Sequence, residues 1–136
     1  VYKRQQLEGF KGSLHSLAHG WNKPGGAEDL GRWDQFMAGQ LAYFLKRLSD
    51  AEEDGGSVLD HSVILYGSSN STTHNNTNYP LVLAGGRGLG LEHGSYRRFD
   101  ESTPLSNLLL TMLHCVGSNA DSFADSTGDV TSLRRV

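Results

Sequence analysis

At 136 residues and a formal charge of −3, the chain is long enough for one sizeable core and carries no basic excess for nucleic acid or an anionic membrane. No apolar run approaches the roughly 20 residues that span a bilayer. Its single cysteine, Cys115, excludes an internal disulfide framework, and 17 glycines against 3 prolines favour turns over rigid linkers.

Val1-Tyr2-Lys3-Arg4-Gln5 reads as the translated end of a sequencing adapter and is set apart from the fold as a processing scar. From Gln6 to Ala27 small polar residues and glycine predict loop with at most a short turn of helix. Leu30, Trp33, Met37, Leu41, Phe44 and Leu48 then recur at steps of three and four, which predicts a helix from about Ala27 to Asp50 with one apolar face. The acidic, glycine-rich run Asp50 to Gly56 ends it. Ser62 to Tyr66 and Leu81 to Ala84 are short apolar runs bounded by glycine, the signature of strands buried on both faces. A glycine-rich excursion to Tyr96 predicts loop or a weak hairpin. Thr103-Pro104 offers an N-cap and a proline at the first helical position of a second helix, carried by Leu105, Leu108, Leu109, Met112 and Leu113 to Gly117. The polar tail beyond has Phe123 as its one aromatic anchor.

This order is that of an α/β protein, and the uniform apolarity of its strands predicts a mixed or parallel sheet covered on both sides. Two strands make too small a sheet to stand alone. Residues 6–136 are therefore expected to be the carboxyl-terminal part of a single larger domain. In such sheets ligands gather outside the carboxyl ends of the strands. There the first strand gives way to Gly67, Ser68, Ser69 and Asn70, and His74 follows among small polar side chains.

Several motifs together resemble the carboxyl end of the HxxSHH-motif family of exported bacterial proteins, related to the alkaline phosphatase and sulfatase superfamily. They are His15-Ser16-Leu17-Ala18-His19-Gly20, the long helix, the run Leu59 to Ser68, Thr73-His74-Asn75, Pro80 to Gly86 and Ser126-Thr127-Gly128. The resemblance spans about Gly9 to Leu133. It implies a three-layer α/β/α sandwich with a mostly parallel sheet and a periplasmic or extracellular location. It also implies a phosphate or sulfate ester hydrolase dependent on a divalent metal such as zinc, calcium or magnesium, acting on an anionic small molecule or a saccharide. The chain departs from the pattern at Ala18, where serine is expected, and at Gly20 and Asn76, where histidines are expected.

Neutral imidazole is a good ligand for divalent ions. His15 and His19, four apart, share a face if their segment is helical, while His74 approaches from the loop after the strand. These three are the candidate metal ligands. Ser68, Asn70 and Asn75 are the candidate substrate-binding residues, with turn formation as their alternative role. No residue here matches the superfamily nucleophile, which the resemblance places upstream. The retained polar cluster around His74 favours an enzyme, whereas Ala18, Gly20 and Asn76 favour a protein that binds a ligand or partner without catalysis. Three other groups have structural readings. Asp60-His61 opens its strand at the edge opposite the site, His114 in the last helical turn suits the helix dipole, and Cys115 is a small core residue. Arg97 and Arg98 are read as solvated charge that could also meet an anion.

Overall fold

The computed structural model describes residues 9–10, 12–71 and 74–135. The segment read as a processing scar lies outside them, as does Thr73. The architecture is mixed α/β, with helices α1 (Leu14–His19), α2 (Gly26–Asp50) and α3 (Leu105–Cys115). Its strands are β1 (Glu52–Glu53), β2 (Gly56–Ser57), β3 (Val63–Gly67) and β4 (Leu81–Gly85). Among the described residues no helix is long and apolar enough to cross a membrane.

The long helix occupies the residues that the three-and-four periodicity marks out. Gly25 enters it with a left-handed backbone, and Glu28 and Asp29 in the first turn complement the positive end of the dipole. Its apolar stripe is only half covered. Leu30, Trp33, Met37, Leu41 and Leu48 are half-buried, Phe44 is 48% exposed, and no residue of the helix is buried. Phe10 docks on it edge to face, 5.1 Å from the Trp33 ring centre and 6.2 Å from that of Phe36.

The acidic run after α2 does more than end it. Asp54 and Gly55 adopt φ of 47° and 81°, and the flanking residues pair Glu52 with Ser57 and Glu53 with Gly56. Two left-handed residues between paired strands make the type I′ hairpin that an Asp-Gly dipeptide favours. The chain then returns to the helix end, where the Leu59 amide donates to the Leu48 carbonyl.

β3 and β4 are the two apolar runs, each extended by one glycine beyond its expected end. They pair antiparallel, from Val63 opposite Gly85 to Gly67 opposite Leu81. The described strands thus form small antiparallel sheets, and a mostly parallel sheet is not seen among them. A parallel neighbour needs a crossover, usually helical, whereas residues 68–80 form a looped return with no described helix. Nor are both faces buried: Val63 to Tyr66 are half-buried and Val82 is 48% exposed. Gly85 closes the pair. Its φ is 76°, and an added Cβ would collide with the Ser62 carbonyl.

α3 begins one residue later than the cap signal suggests. Pro104, not Thr103, stands at the N-cap, with no side-chain cap, and its carbonyl accepts from the Asn107 amide at 3.1 Å. Proline lacks the N–H that a helix interior needs and sets the extended backbone seen at this cap.

The fully buried side chains are Leu91, Leu110 and Thr111, with Cys115 and Val130 also buried. They belong to α3 and to segments beside it. The C-terminal tail folds back so that Leu91 and Arg134 bridge antiparallel, with Glu92 N–H donating to Leu133 and Arg135 N–H to Gly90. Phe123 does not anchor this tail, being 42% exposed. Polar side chains of α3 hold it instead. Ser106 Oγ donates to Asp125 at 2.6 Å. Asn107 accepts from the Thr127 amide at 2.8 Å and donates to Thr127 Oγ1 at 3.1 Å. Thr111 Oγ1 accepts from the Val130 amide at 2.7 Å and donates to the Asn107 carbonyl. An aromatic anchor would supply burial alone, whereas Asn107 and Thr111 also satisfy tail amides, of which that of Val130 is buried.

Candidate functional site

His15 and His19 are displayed by α1, a helix of six residues. Ser13 caps it, its Oγ accepting from the Ser16 amide at 3.3 Å, while Ser16 Oγ donates to the Ser13 carbonyl at 2.8 Å. Four residues apart on a helix, the two imidazoles stack one turn above the other, with ring centres 4.5 Å apart. α1 contacts α2, so the pair stands beside the N-terminal half of the molecule's longest element.

His74 comes from the return between β3 and β4, and its ring centre lies 5.2 Å from that of His19. Its φ is 55°, in the left-handed region where histidine, asparagine and aspartate are enriched over other side chains. The turn around it closes by a hydrogen bond from the Ser71 amide to the Asn75 carbonyl at 2.8 Å. The structure therefore brings His15, His19 and His74 side by side from two segments about 55 positions apart in sequence. All three are exposed.

Ring spacing bears on whether these donors suit a metal. Two imidazoles bound to one tetrahedral ion, with metal–nitrogen distances of about 2.0–2.1 Å, hold their ring centres on the order of 5 Å apart. The His15–His19 and His19–His74 pairs both stand near that separation. Among the described residues no three His, Cys, Asp or Glu side chains are arranged to hold one ion. The histidines fit a divalent metal as adjoining pairs that share His19, not as a closed three-ligand centre.

Ser68, Asn70 and Asn75 are exposed in the same loop, and each makes local bonds. Ser68 Oγ accepts from the Asn70 amide at 3.1 Å, and the Asn70 side chain donates to Ser69 Oγ at 3.3 Å. Asn75 Oδ1 accepts from both the amide and the hydroxyl of Thr77, at 3.1 and 2.8 Å. These are turns in which a side chain stands in for a backbone acceptor. They shape the loop that carries His74.

The other titratable residues singled out in the sequence fall elsewhere. Asp60 precedes β3 and accepts from the Ser57 hydroxyl at 2.8 Å, a bond that holds its carboxyl below the usual carboxylate range. His61 lies against Gly56 and Gly88, where an added Cβ would meet its ring. His93 bonds the Gly85 carbonyl, and Arg97 donates to the Ser132 carbonyl at 3.1 Å, so both fasten loops. Burial pushes the Cys115 thiol up, as suits a core residue and not a nucleophile.

His114 has partners that its position in a last helical turn does not reveal. Its Nδ1 lies 3.1 Å from Asp129 Oδ2, its Nε2 lies 2.8 Å from the Ala120 carbonyl, and Arg134 also reaches Asp129 at 3.5 Å. The one sequence signal for such contacts is the polar series Ser106, Asn107, Thr111 and His114 interrupting the apolar pattern of α3. A cavity of about 580 Å³ opens beside this group, lined by His114, Asp121, Asp129, Arg134 and residues between them. No protein-family profile, curated protein sequence or solved structure matches the chain.

Proposed function

We propose that the chain carries part of the metal- and ligand-binding face of an alkaline phosphatase- or sulfatase-like hydrolase acting on phosphate or sulfate esters. In this reading the described elements belong to a larger three-layer sandwich with a mostly parallel sheet, exported from a bacterial cell. The observation that carries it is the adjoining of His15, His19 and His74, three exposed imidazoles from separate segments at the ring spacing of shared coordination. Histidines that hold structure bond to backbone or carboxylates, as His93 and His114 do here.

His19, with His15 or His74 beside it, would hold a divalent metal. Such an ion supplies charge to polarise an ester oxygen or to activate water. The chain's own contribution is to place donors around it. α1 fixes His15 and His19 on one face, the Ser71–Asn75 turn presents His74, and Asn75 and Asn70 offer amide donors to an anionic oxygen. The attacking nucleophile is assigned to none of these residues.

A second reading, ligand or partner binding without catalysis, is favoured by Ala18, Gly20 and Asn76 in place of the expected serine and histidines and by the lack of a three-donor metal set among the described residues. Elemental mass spectrometry of the purified protein separates the two. Stoichiometric divalent metal in the wild type, lost in the triple variant His15→Ala, His19→Ala, His74→Ala, supports the metal reading and directs a screen of phosphate and sulfate esters. A folded wild type that neither retains nor takes up zinc, calcium or magnesium overturns it.

A further inference from the structure

Both ring nitrogens of His114 face groups that only accept: a carbonyl oxygen from Ala120 and a carboxylate oxygen from Asp129. A neutral imidazole has one N–H and one lone pair, so it satisfies one of these and points its lone pair at the other. The imidazolium donates to both. We propose that His114 is a proton-operated clasp: protonated, it fastens the tail segment 118–134 to α3, and its deprotonation loosens that segment along the wall of the adjoining cavity.

The charged groups around the ring are few. Asp129 faces it from the tail and pairs also with Arg134, whose guanidinium opposes the imidazolium charge while holding the same carboxylate. Asp121 lines the cavity wall, and on α3 itself the neighbouring titratable group is the Cys115 thiol. The His114 and Asp129 side chains are 21% and 19% exposed, so solvent screens their attraction only in part. The bonds to Ala120 and Asp129 raise the imidazole above the ordinary histidine range, and burial and Arg134 oppose this less strongly.

The clasp spans the Ser126-Thr127-Gly128 motif, whose Thr127 amide bonds Asn107, and lies next to the Val130 amide, which bonds Thr111. Those two amides report whether the tail is closed. The linkage has a definite sign. The closed state binds the proton more tightly than the open one, so opening is least favourable at low pH. It grows about tenfold for each pH unit separating the two midpoints as pH rises between them.

The test is a proton NMR titration of the His114 ring in the full chain, with hydrogen exchange at Thr127 and Val130 corrected for the intrinsic base-catalysed rate. The expected result is a His114 midpoint above 6.5 and a corrected loss of protection that follows the same midpoint. In Asp129→Asn, both should move together toward lower pH. A wild-type midpoint at or below that value, corrected protection that does not vary with pH, or an Asp129→Asn midpoint equal to the wild type would each overturn the clasp. Because the wild-type titration is decisive by itself, the outcome does not depend on the variant folding.

Discussion

The two ends of this molecule use polar side chains in opposite ways. Around α3, Ser106, Asn107, Thr111 and His114 each bond a named group of the tail, and the buried side chains are found in this region. Around α1, α2 and the β3–β4 return, no residue of the long helix is buried, and three imidazoles stand exposed against one another. Polar groups in the first region are committed to holding the chain together. The three imidazoles of the second make no hydrogen bond among the described residues, which is why the candidate site belongs there although the most polar contacts lie elsewhere.

Substitutions can break this comparison. The largest effect is expected from Leu110→Ala, at a side chain only 2% exposed. It should cost about 2–5 kcal/mol in denaturant unfolding through lost burial and the cavity left behind. Phe44→Ala, on the half-covered face of α2, should change stability by roughly 0.5 kcal/mol or less. If the two cost the same, the α2 face is covered in solution and the contrast fails.

Thr111→Val comes next. It keeps the shape of the side chain but removes the acceptor of the Val130 amide, so it should cost about 1–3 kcal/mol by the same measurement. Little change would mean that water or a shifted tail satisfies that amide.

The pH dependence of unfolding is expected to be smaller and two-sided. His114 is raised above 6.5 in the folded chain, so its contribution is complete below that value and is lost as pH rises through the folded midpoint. Asp60 is lowered below 3.8, so its contribution is complete above that value and is lost as pH falls through the folded midpoint. Both are therefore present in full between pH 3.8 and 6.5. Melting temperature against pH should decline above that window, and His114→Gln should flatten the alkaline decline and leave the acid one in place.

Little effect on stability is expected from the triple alanine variant of His15, His19 and His74. Exposed and set on a short helix and a loop, these residues should change unfolding by less than about 1 kcal/mol while abolishing any metal uptake. A large loss of stability would reassign the histidines to structure and remove the distinction between the two regions.

Much of the secondary structure was legible from local pattern. The three-and-four spacing from Leu30 to Leu48 marks α2 to within a residue, and the glycine-bounded apolar runs mark β3 and β4. The Asp54-Gly55 hairpin was not read from the sequence, because its short flanks lack the alternating apolar residues that usually accompany the signal. The proximity of His15 and His19 follows from helical geometry, which fixes residues four apart on one face.

What only the tertiary structure decided concerns partners distant in sequence. The antiparallel pairing of β3 with β4 depends on how residues 68–80 turn back, and apolar composition is the same for either direction. The tail reads as polar with Phe123 as its one anchor because its actual fastening is a set of matches: Asp125 with Ser106, Thr127 with Asn107, Val130 with Thr111 and Asp129 with His114. A hydrogen bond depends on distance and direction between two groups, which composition cannot supply. The placing of His74 beside His19 is of the same kind. Its residue type was visible in the sequence, whereas its position required a loop folded on its own Ser71 and Asn75 and a left-handed backbone at His74 itself. Periodicity records which face of an element is apolar. The choice of what meets that face is made by the chain as a whole, because only the folded backbone brings distant groups within bonding distance.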